Sequence, residues 1–262
     1  TRRHVFRNVM IGLQMAISLF FVGSTTIIAL VIDETTLHPV SYISEKEKEH
    51  TLELKINSVR LGTNLDAILS EVKTLPEVEA SIQTMFGIGF GSIEQYFNNQ
   101  QSYHVRIQVG NPDYFRFFKI PMTGKEVEAF SGNYIYVSKE FNEQLAKDGI
   151  QGVVKVNNVE YQIAGVYESL HKEPGLVGQY IGSVVRPTLS DIYYYFRLTP
   201  QADAKACVKK LETICRKYVP ETLPLEICLM SDRTKTTAGT VELISYIFLL
   251  LGFISLLVVI LS

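Results

Sequence analysis

The chain has 262 residues, 47% of them hydrophobic and 20% charged, with 25 Lys and Arg set against 27 Asp and Glu. That length supports one or two domains with proper cores. The net charge of -2 argues against nucleic acid as a partner, because a phosphate-binding face needs a clear basic excess.

Charge is unevenly spread. Residues 1–8 carry Arg2, Arg3, His4 and Arg7, and residues 9–32 then run without a charge, polar only at Gln14, Ser18 and Ser24-Thr25-Thr26. Such a run is long enough to cross a ~30 Å hydrocarbon core. It lacks the polar face of a soluble helix, and it exceeds the roughly 7–15 apolar residues of a signal peptide. The run leads into Asp33-Glu34, so a retained transmembrane helix is predicted. Basic residues before the span and acidic ones after it place 1–8 in the cytoplasm and 33–240 outside. A second apolar run begins near Leu243 and is still apolar near Ser262; it reads as the start of a second span in a longer polytopic protein.

Residues 33–50 hold Pro39 and the alternating run Glu45-Lys46-Glu47-Lys48-Glu49, a solvated stalk or linker by its charge pattern. Residues 51–59 then alternate, with Leu52, Leu54 and Ile56 on one face, which predicts a half-buried strand. Asn64 is a predicted cap for a helix over 64–75 whose stripe is Leu65, Ile68, Leu69, Val72 and Leu75. Pro76 ends it, and 78–85 reads as another strand.

The same unit recurs. Residues 191–198 form an aromatic strand with Tyr193, Tyr194, Tyr195 and Phe196. Thr199 is the predicted N-cap, Pro200 the first helical residue, and the helix runs to Tyr218, burying Val208, Leu211, Cys215 and Tyr218. After Pro220 and Pro224, residues 225–230 return as a strand. Two β-α-β units pairing into one sheet with both helices on one side give a split ferredoxin-like arrangement, hence an α+β fold. Between them the sequence reads mainly as β, with strands at 103–109 and 133–137 and a hairpin over 152–166 turning at Asn157-Asn158. A short helix over 139–148 is capped by Ser138 and followed by Gly149.

Sites of chemistry are not indicated. The pair Gly124-Lys125 lacks the upstream glycine and following Ser/Thr of a nucleotide loop, so ATP hydrolysis would fall to another chain. His4, His38, His50, His104 and His171 never sit at the i, i+4 spacing that aims two imidazoles at one metal. No Gly-x-Ser-x-Gly elbow occurs. Catalytic, cofactor and metal residues are therefore left unassigned. Cys207, Cys215 and Cys228 are odd in number; the first two lie about 12 Å apart along one helix and cannot bridge. Free buried thiols are the favoured reading, and Cys228 paired with Cys207 or Cys215 is the alternative in an oxidising compartment. The stretch from Met85 to Gly91, followed by Tyr96-Phe97, interleaves glycine with large apolar residues. Phe86, Ile88, Phe90, Tyr96 and Phe97 are its candidate contact for a partner or amphiphilic ligand; a bent strand packing these aromatics between subdomains is the alternative.

Several segments in order carry a family likeness: Arg7-Asn8-Val9 before the span with Gln14, Leu75-Pro76-Glu77-Val78-Glu79-Ala80, Val109-Gly110-Asn111-Pro112-Asp113-Tyr114-Phe115, Phe118-Lys119-Ile120 with Gly124-Lys125, Ser138-Lys139-Glu140 and Tyr161-Gln162-Ile163-Ala164-Gly165-Val166. The chain resembles the MacB/FtsX-like family of ABC transporter permeases, in its periplasmic core domain with flanking transmembrane helices. The resemblance implies a porter subdomain built from 51–90 and 188–232, with a β-rich, sabre-like subdomain inserted at 91–187 and a linker at 233–242. It implies a non-catalytic subunit in the inner membrane of a bacterium, working with a cytoplasmic ABC ATPase subunit as a homodimer or pseudo-dimer. Expected partners are the lipid bilayer and a periplasmic protein, peptide or lipoprotein. The competing reading is the extracytoplasmic sensor domain of a two-span membrane receptor.

Overall fold

The computed structural model describes residues 2–32, 42–57, 64–84, 91–97, 101–109, 112–127, 133–156, 159–168, 178–182 and 191–261. The chain divides into two compact units, 1–38 with 234–262 and 39–233. The first helix, α1 (Arg2–Ile32), belongs to the former.

In the second unit the charge run expected as a solvated stalk is partly a helical turn, α2 (Glu45–Lys48), closed by a capping box between Ser44 and Glu47. Lys48 is buried, as is Ile43 ahead of the run, while Glu45, Lys46 and Glu49 stay exposed. The run leads into β1 (Thr51–Asn57), α3 (Asn64–Lys73) and β2 (Val78–Thr84). The matching second unit is β10 (Asp191–Leu198), α6 (Ala204–Arg216) and β11 (Glu226–Leu229). These strands form one antiparallel sheet in the order β11-β1-β10-β2, the split ferredoxin-like topology. Both helices cover the same face. Leu52, Leu54, Ile56, Ile192, Tyr194, Phe196 and Leu198 point to it and meet Ile68, Val72, Leu211, Ile214 and Cys215 in a single core. The expected cap Thr199 is replaced by Asp203, whose side chain accepts the Ala206 N–H. Thr199 is committed elsewhere, because its N–H extends the sheet by donating to Glu77 O and its carbonyl accepts from Ala202 in a turn.

The intervening chain makes β3 (Gly91–Phe97), β4 (Gln101–Val109), α4 (Pro112–Phe118), β5 (Met122–Gly124), β6 (Tyr134–Ser138), α5 (Lys139–Lys147), β7 (Val153–Val156), β8 (Val159–Tyr167) and β9 (Gly178–Gly182). Strands β8, β6, β9, β4, β3 and β7 follow one another, and β7 pairs back onto β8, so the mixed sheet closes on itself with β5 attached to β8. Inside lie Tyr103, Val105, Ile107, Ile135, Val137, Val154 and Tyr161, capped by Phe141 and Leu145 of α5. Ser138 caps that helix and Gly149 follows it at φ 76°, as the sequence predicts. The turn pair Asn157-Asn158 lies outside the described residues, between the paired strands β7 and β8. All three cysteines are free thiols, and burial pushes Cys215 up to about 12.

A third cluster joins the two sheets. Tyr114, Phe115, Phe117 and Phe118 of α4 pack with Ile43, Ile82, Tyr136, Tyr167, Tyr195 and Met230. Met230 opens α7 (Met230–Leu261), one continuous helix that passes through 233–242, where a linker was expected. In the first unit α7 lies against α1: the Phe21 and Phe248 rings are 5.9 Å apart, and a Cβ on Gly252 would meet Val22 at 3.3 Å. Ser18 and Thr25 are buried in α1, and their hydroxyls donate to the Gln14 and Phe21 carbonyls one turn back. Leu19, Phe20, Leu243, Tyr246 and Phe253 are exposed on the pair. Among the described residues no helix is long and apolar enough to cross a membrane; the spans expected over 9–32 and from 243 include side chains outside the described set.

The β5–β8 contact depends on two glycines. Gly124 opposite Gly165 has φ 128°, and a Cβ on Gly165 would stand 2.7 Å from Thr123 O and 3.2 Å from Tyr136 Cδ1. Gly165→Ala is expected to lower the unfolding free energy by roughly 1–3 kcal/mol, as overpacking against backbone does. Chemical denaturation of the chain in detergent measures this; an unchanged midpoint would show that β5 simply moves aside.

Candidate functional site

The face of the four-stranded sheet opposite the helices carries the polar residues. Alternation along β1 sends Leu52 and Leu54 into the helix-covered core and Glu53 to the other side. Glu53 is fully buried there, at 0% exposure. A lone carboxylate in such a place costs several kcal/mol, so it survives only with partners. Two come from different elements. Tyr195 on β10 donates its hydroxyl to Glu53 Oε2 at 3.0 Å. Arg233, in the first turn of α7, brings Nε within 2.6 Å of Glu53 Oε1.

The network continues to the sheet edge. Arg233 Nη2 donates to Glu226 Oε2 at 3.3 Å, and Lys55 Nζ donates to Glu226 Oε1 at 3.0 Å. The Cys228 thiol lies within electrostatic reach of Arg233. Met230, one turn earlier on α7, is fully buried in the aromatic cluster. The start of α7 is thus fixed by a methionine in an aromatic core and by an arginine on a buried carboxylate.

The electrostatics of the pair are lopsided. Burial raises the Glu53 pKa, and the paired Arg233 charge and the Tyr195 hydrogen bond only partly offset it. Burial alone would lower Arg233, but Glu53, with smaller help from Cys228 and Glu226, outweighs it and holds the guanidinium above its ordinary value. The difference follows from exposure: the Arg233 side chain is 35% exposed and Glu53 is 0% exposed. Burial and the Glu53 carboxylate raise Cys228 and, strongly, Tyr195, so neither is an activated nucleophile or base. Among the described residues no group of three His, Cys, Asp or Glu side chains is placed to hold a metal. The arrangement does no evident bond chemistry; what it does is fasten a helix to a sheet.

Phe86, Ile88 and Phe90 lie outside the described residues, and Tyr96 and Phe97 are on β3, whose backbone pairs with β4. A shallow cleft of about 350 Å³ on the closed sheet is lined by Asn133, Tyr134, Val153, Glu160, Tyr161 and Gln162. Sequence reading passed over Glu53 and Arg233 because a charge at an alternate strand position looks solvated. The available signal was a carboxylate centred in an interior strand together with an isolated arginine ahead of an apolar helix.

Removing either partner should have unequal effects. Arg233→Met leaves Glu53 buried without its cation and is expected to destabilise the domain by about 3 kcal/mol near pH 8. Glu53→Gln should cost less, because Arg233 keeps solvent and Glu226. A carboxyl whose folded pKa is raised favours the fold below its unfolded value near 4.3, and that contribution is lost as pH rises through the folded value. Arg233→Met should therefore recover stability as pH falls from 8 towards 5. Denaturation midpoints of both variants against pH measure this; a larger loss for Glu53→Gln would refute the assignment.

The comparisons with known proteins agree with this architecture. No curated protein matches the chain at a significant level. Among solved structures, the periplasmic region of MacB from Actinobacillus actinomycetemcomitans superposes with a TM-score of 0.55 at 11% identity, covering 76% of this chain and 97% of that one. A domain of a putative permease from Porphyromonas gingivalis gives 0.48 at 13% identity, covering 69% and 89% of the two chains. The extracellular domain of the noncanonic ABC-type transporter YknZ from Gram-positive bacteria gives 0.48 at 12% identity, covering 68% and 99%. At 11% identity the likeness to the MacB periplasmic region concerns the fold. The family match comes from the sequence: residues 9–214 match the MacB-like periplasmic core domain. The chain belongs to the MacB-like periplasmic core domain family, and so carries the extracytoplasmic domain of a membrane permease.

Proposed function

We propose that this chain is part of the non-catalytic permease subunit of an ABC transporter in the inner membrane of a bacterium. In this reading α1 and α7 cross the bilayer, and ATP hydrolysis on a separate cytoplasmic chain moves the periplasmic domain between them. The work is done on a periplasmic protein, peptide or lipoprotein, by a homodimer or pseudo-dimer of the subunit. Family membership supports the transporter class. The apolar runs in α1 and α7, with Arg2, Arg3 and Arg7 ahead of the first, support the spans and their orientation.

The observation that carries the reading is the fastening of α7 at its first turn. At 1.5 Å per residue its 32 residues extend about 48 Å without a break, so tilting one end displaces the other. A lever of this kind is useful only if its end does not slip. Burial of Met230 and the Glu53–Arg233 pair supply that grip.

The test is affinity purification of the full-length protein from detergent-solubilised membranes, with ATP hydrolysis assayed in the eluate. A separate ATP-binding subunit should co-purify, with vanadate-sensitive ATPase activity. An eluate without ATPase, or one carrying a kinase, would overturn the transporter reading in favour of a receptor.

A further inference from the structure

The C-terminal end of α4 lies between the two sheets, and the last carbonyls of any helix need partners from outside its own ladder. Here they are taken by three different parts of the chain. Phe115 O accepts from Ile120 N at 2.9 Å within the local turn. Phe118 O accepts from Tyr42 N at 2.9 Å, in the segment that leads from α1 to α2. Phe117 O accepts from the Arg197 guanidinium on β10, which also lies 4.6 Å from the centre of the Phe117 ring. A cation at a helix C-terminus and over an aromatic face is doubly favoured.

Lys119 closes the turn at φ 55°, a left-handed conformation that an L side chain adopts only when its surroundings enforce it. Its ammonium is 2.7 Å from Glu47 Oε1. Burial would raise the Glu47 pKa, but the Lys119 and Ser44 hydrogen bonds outweigh it and hold the group at about 2, so the pair stays charged at neutral pH. The lead-in segment is thereby attached to α4 twice, at Tyr42 and at Glu47.

On its other sides α4 touches both sheets through rings. Phe115 packs on Tyr136 of β6 at 5.0 Å and on Tyr167 of β8 at 5.4 Å. Phe118 meets Tyr195 of β10 at 5.4 Å, and Tyr195 is the residue that hydrogen-bonds Glu53. Tyr195 and Arg197 are two apart on one strand and so share a face. Strand β10 therefore grips α4 at two successive positions.

We infer that the C-terminal end of α4 is the joint that carries displacement of the α7 root into the seven-stranded sheet, with Arg197 and Lys119 as its positioning residues. The contacts run from Arg233 to Glu53, Tyr195 and Phe118, through α4, and out by Phe115 to Tyr136 and Tyr167. The inference rests on the proposed function in taking α7 as the moving part, but the coupling itself is a property of the domain.

Coupling of this kind is measured as non-additivity between a substitution at the root and one at the joint. Hydrogen exchange of the full chain in detergent would compare wild type, Arg233→Met, Arg197→Lys and the double variant. Arg233→Met is expected to speed exchange in the peptides covering 112–118 and 159–167 about five-fold. In the Arg197→Lys background the same substitution should leave 159–167 within about two-fold, because the joint no longer transmits. An equal rise in both backgrounds would overturn the inference. Should Arg197→Lys fail to fold, Lys119→Gly keeps the backbone and removes the Glu47 pair, and the same non-additivity is expected. Absence of an ATPase partner with the non-additivity intact would remove the transporter reading and leave the joint; the converse would remove the joint alone.

Discussion

A carboxylate in an interior strand, cut off from water on both sides of the sheet, is tolerated only where a cation and a donor are brought to it. Glu53 sets that condition here. Its solution determines much of the molecule: Tyr195 must face it from the neighbouring strand, and α7 must begin in a register that puts Arg233 beside it. An apolar residue at position 53 would also fill the space, and buried ion pairs often add little net stability. What a charge pair adds is discrimination, since a helix rotated by one residue would leave both charges unpaired.

The aromatic layer works alongside that pair by different physics. Seven rings from α4, β6, β8 and β10 pack at tilted and edge-on angles, which favours definite relative positions over free sliding. The segment following α1 and the first residue of α7 both end in this layer, through Ile43 and Met230. Two chain segments nearly two hundred positions apart thus share one core, which neither sheet could build alone.

Much of this was legible in sequence, for a reason visible in each case. Leu52, Leu54 and Ile56 alternate because one face of β1 is buried under helices, and Ile68 and Val72 recur at helical spacing because they meet that face. Period alone could not settle α4: Pro112-Asp113-Tyr114-Phe115-Arg116-Phe117-Phe118 is seven residues long, and its polar face is only Asp113 and Arg116. The stretch after Arg233 reads as a linker because its four Thr and one Gly within 234–240 are weak helix formers. Helix persists there because breaking it between two helical flanks costs more than continuing. The root of α7 was hidden differently. Glu53 and Arg233 are ordinary residues until a contact 180 positions long brings them together, and no local pattern encodes that.

The closed sheet has one further consequence, for life outside the cytoplasm. A strand with both edges paired offers nothing for another chain to add to, and β8 is paired along both sides, with β6 on one and β5 and β7 sharing the other. The seven-stranded sheet ends on β5, three residues long, and the four-stranded sheet ends at one side on β11, four residues long and continuing directly into a helix. Its other margin, β2, carries exposed Glu79 and Gln83. Brevity, a helical stop and polar side chains are the devices by which β proteins avoid joining edge to edge. A domain built this way is protected against templated aggregation in a compartment where molecules are crowded and unfolded neighbours are common.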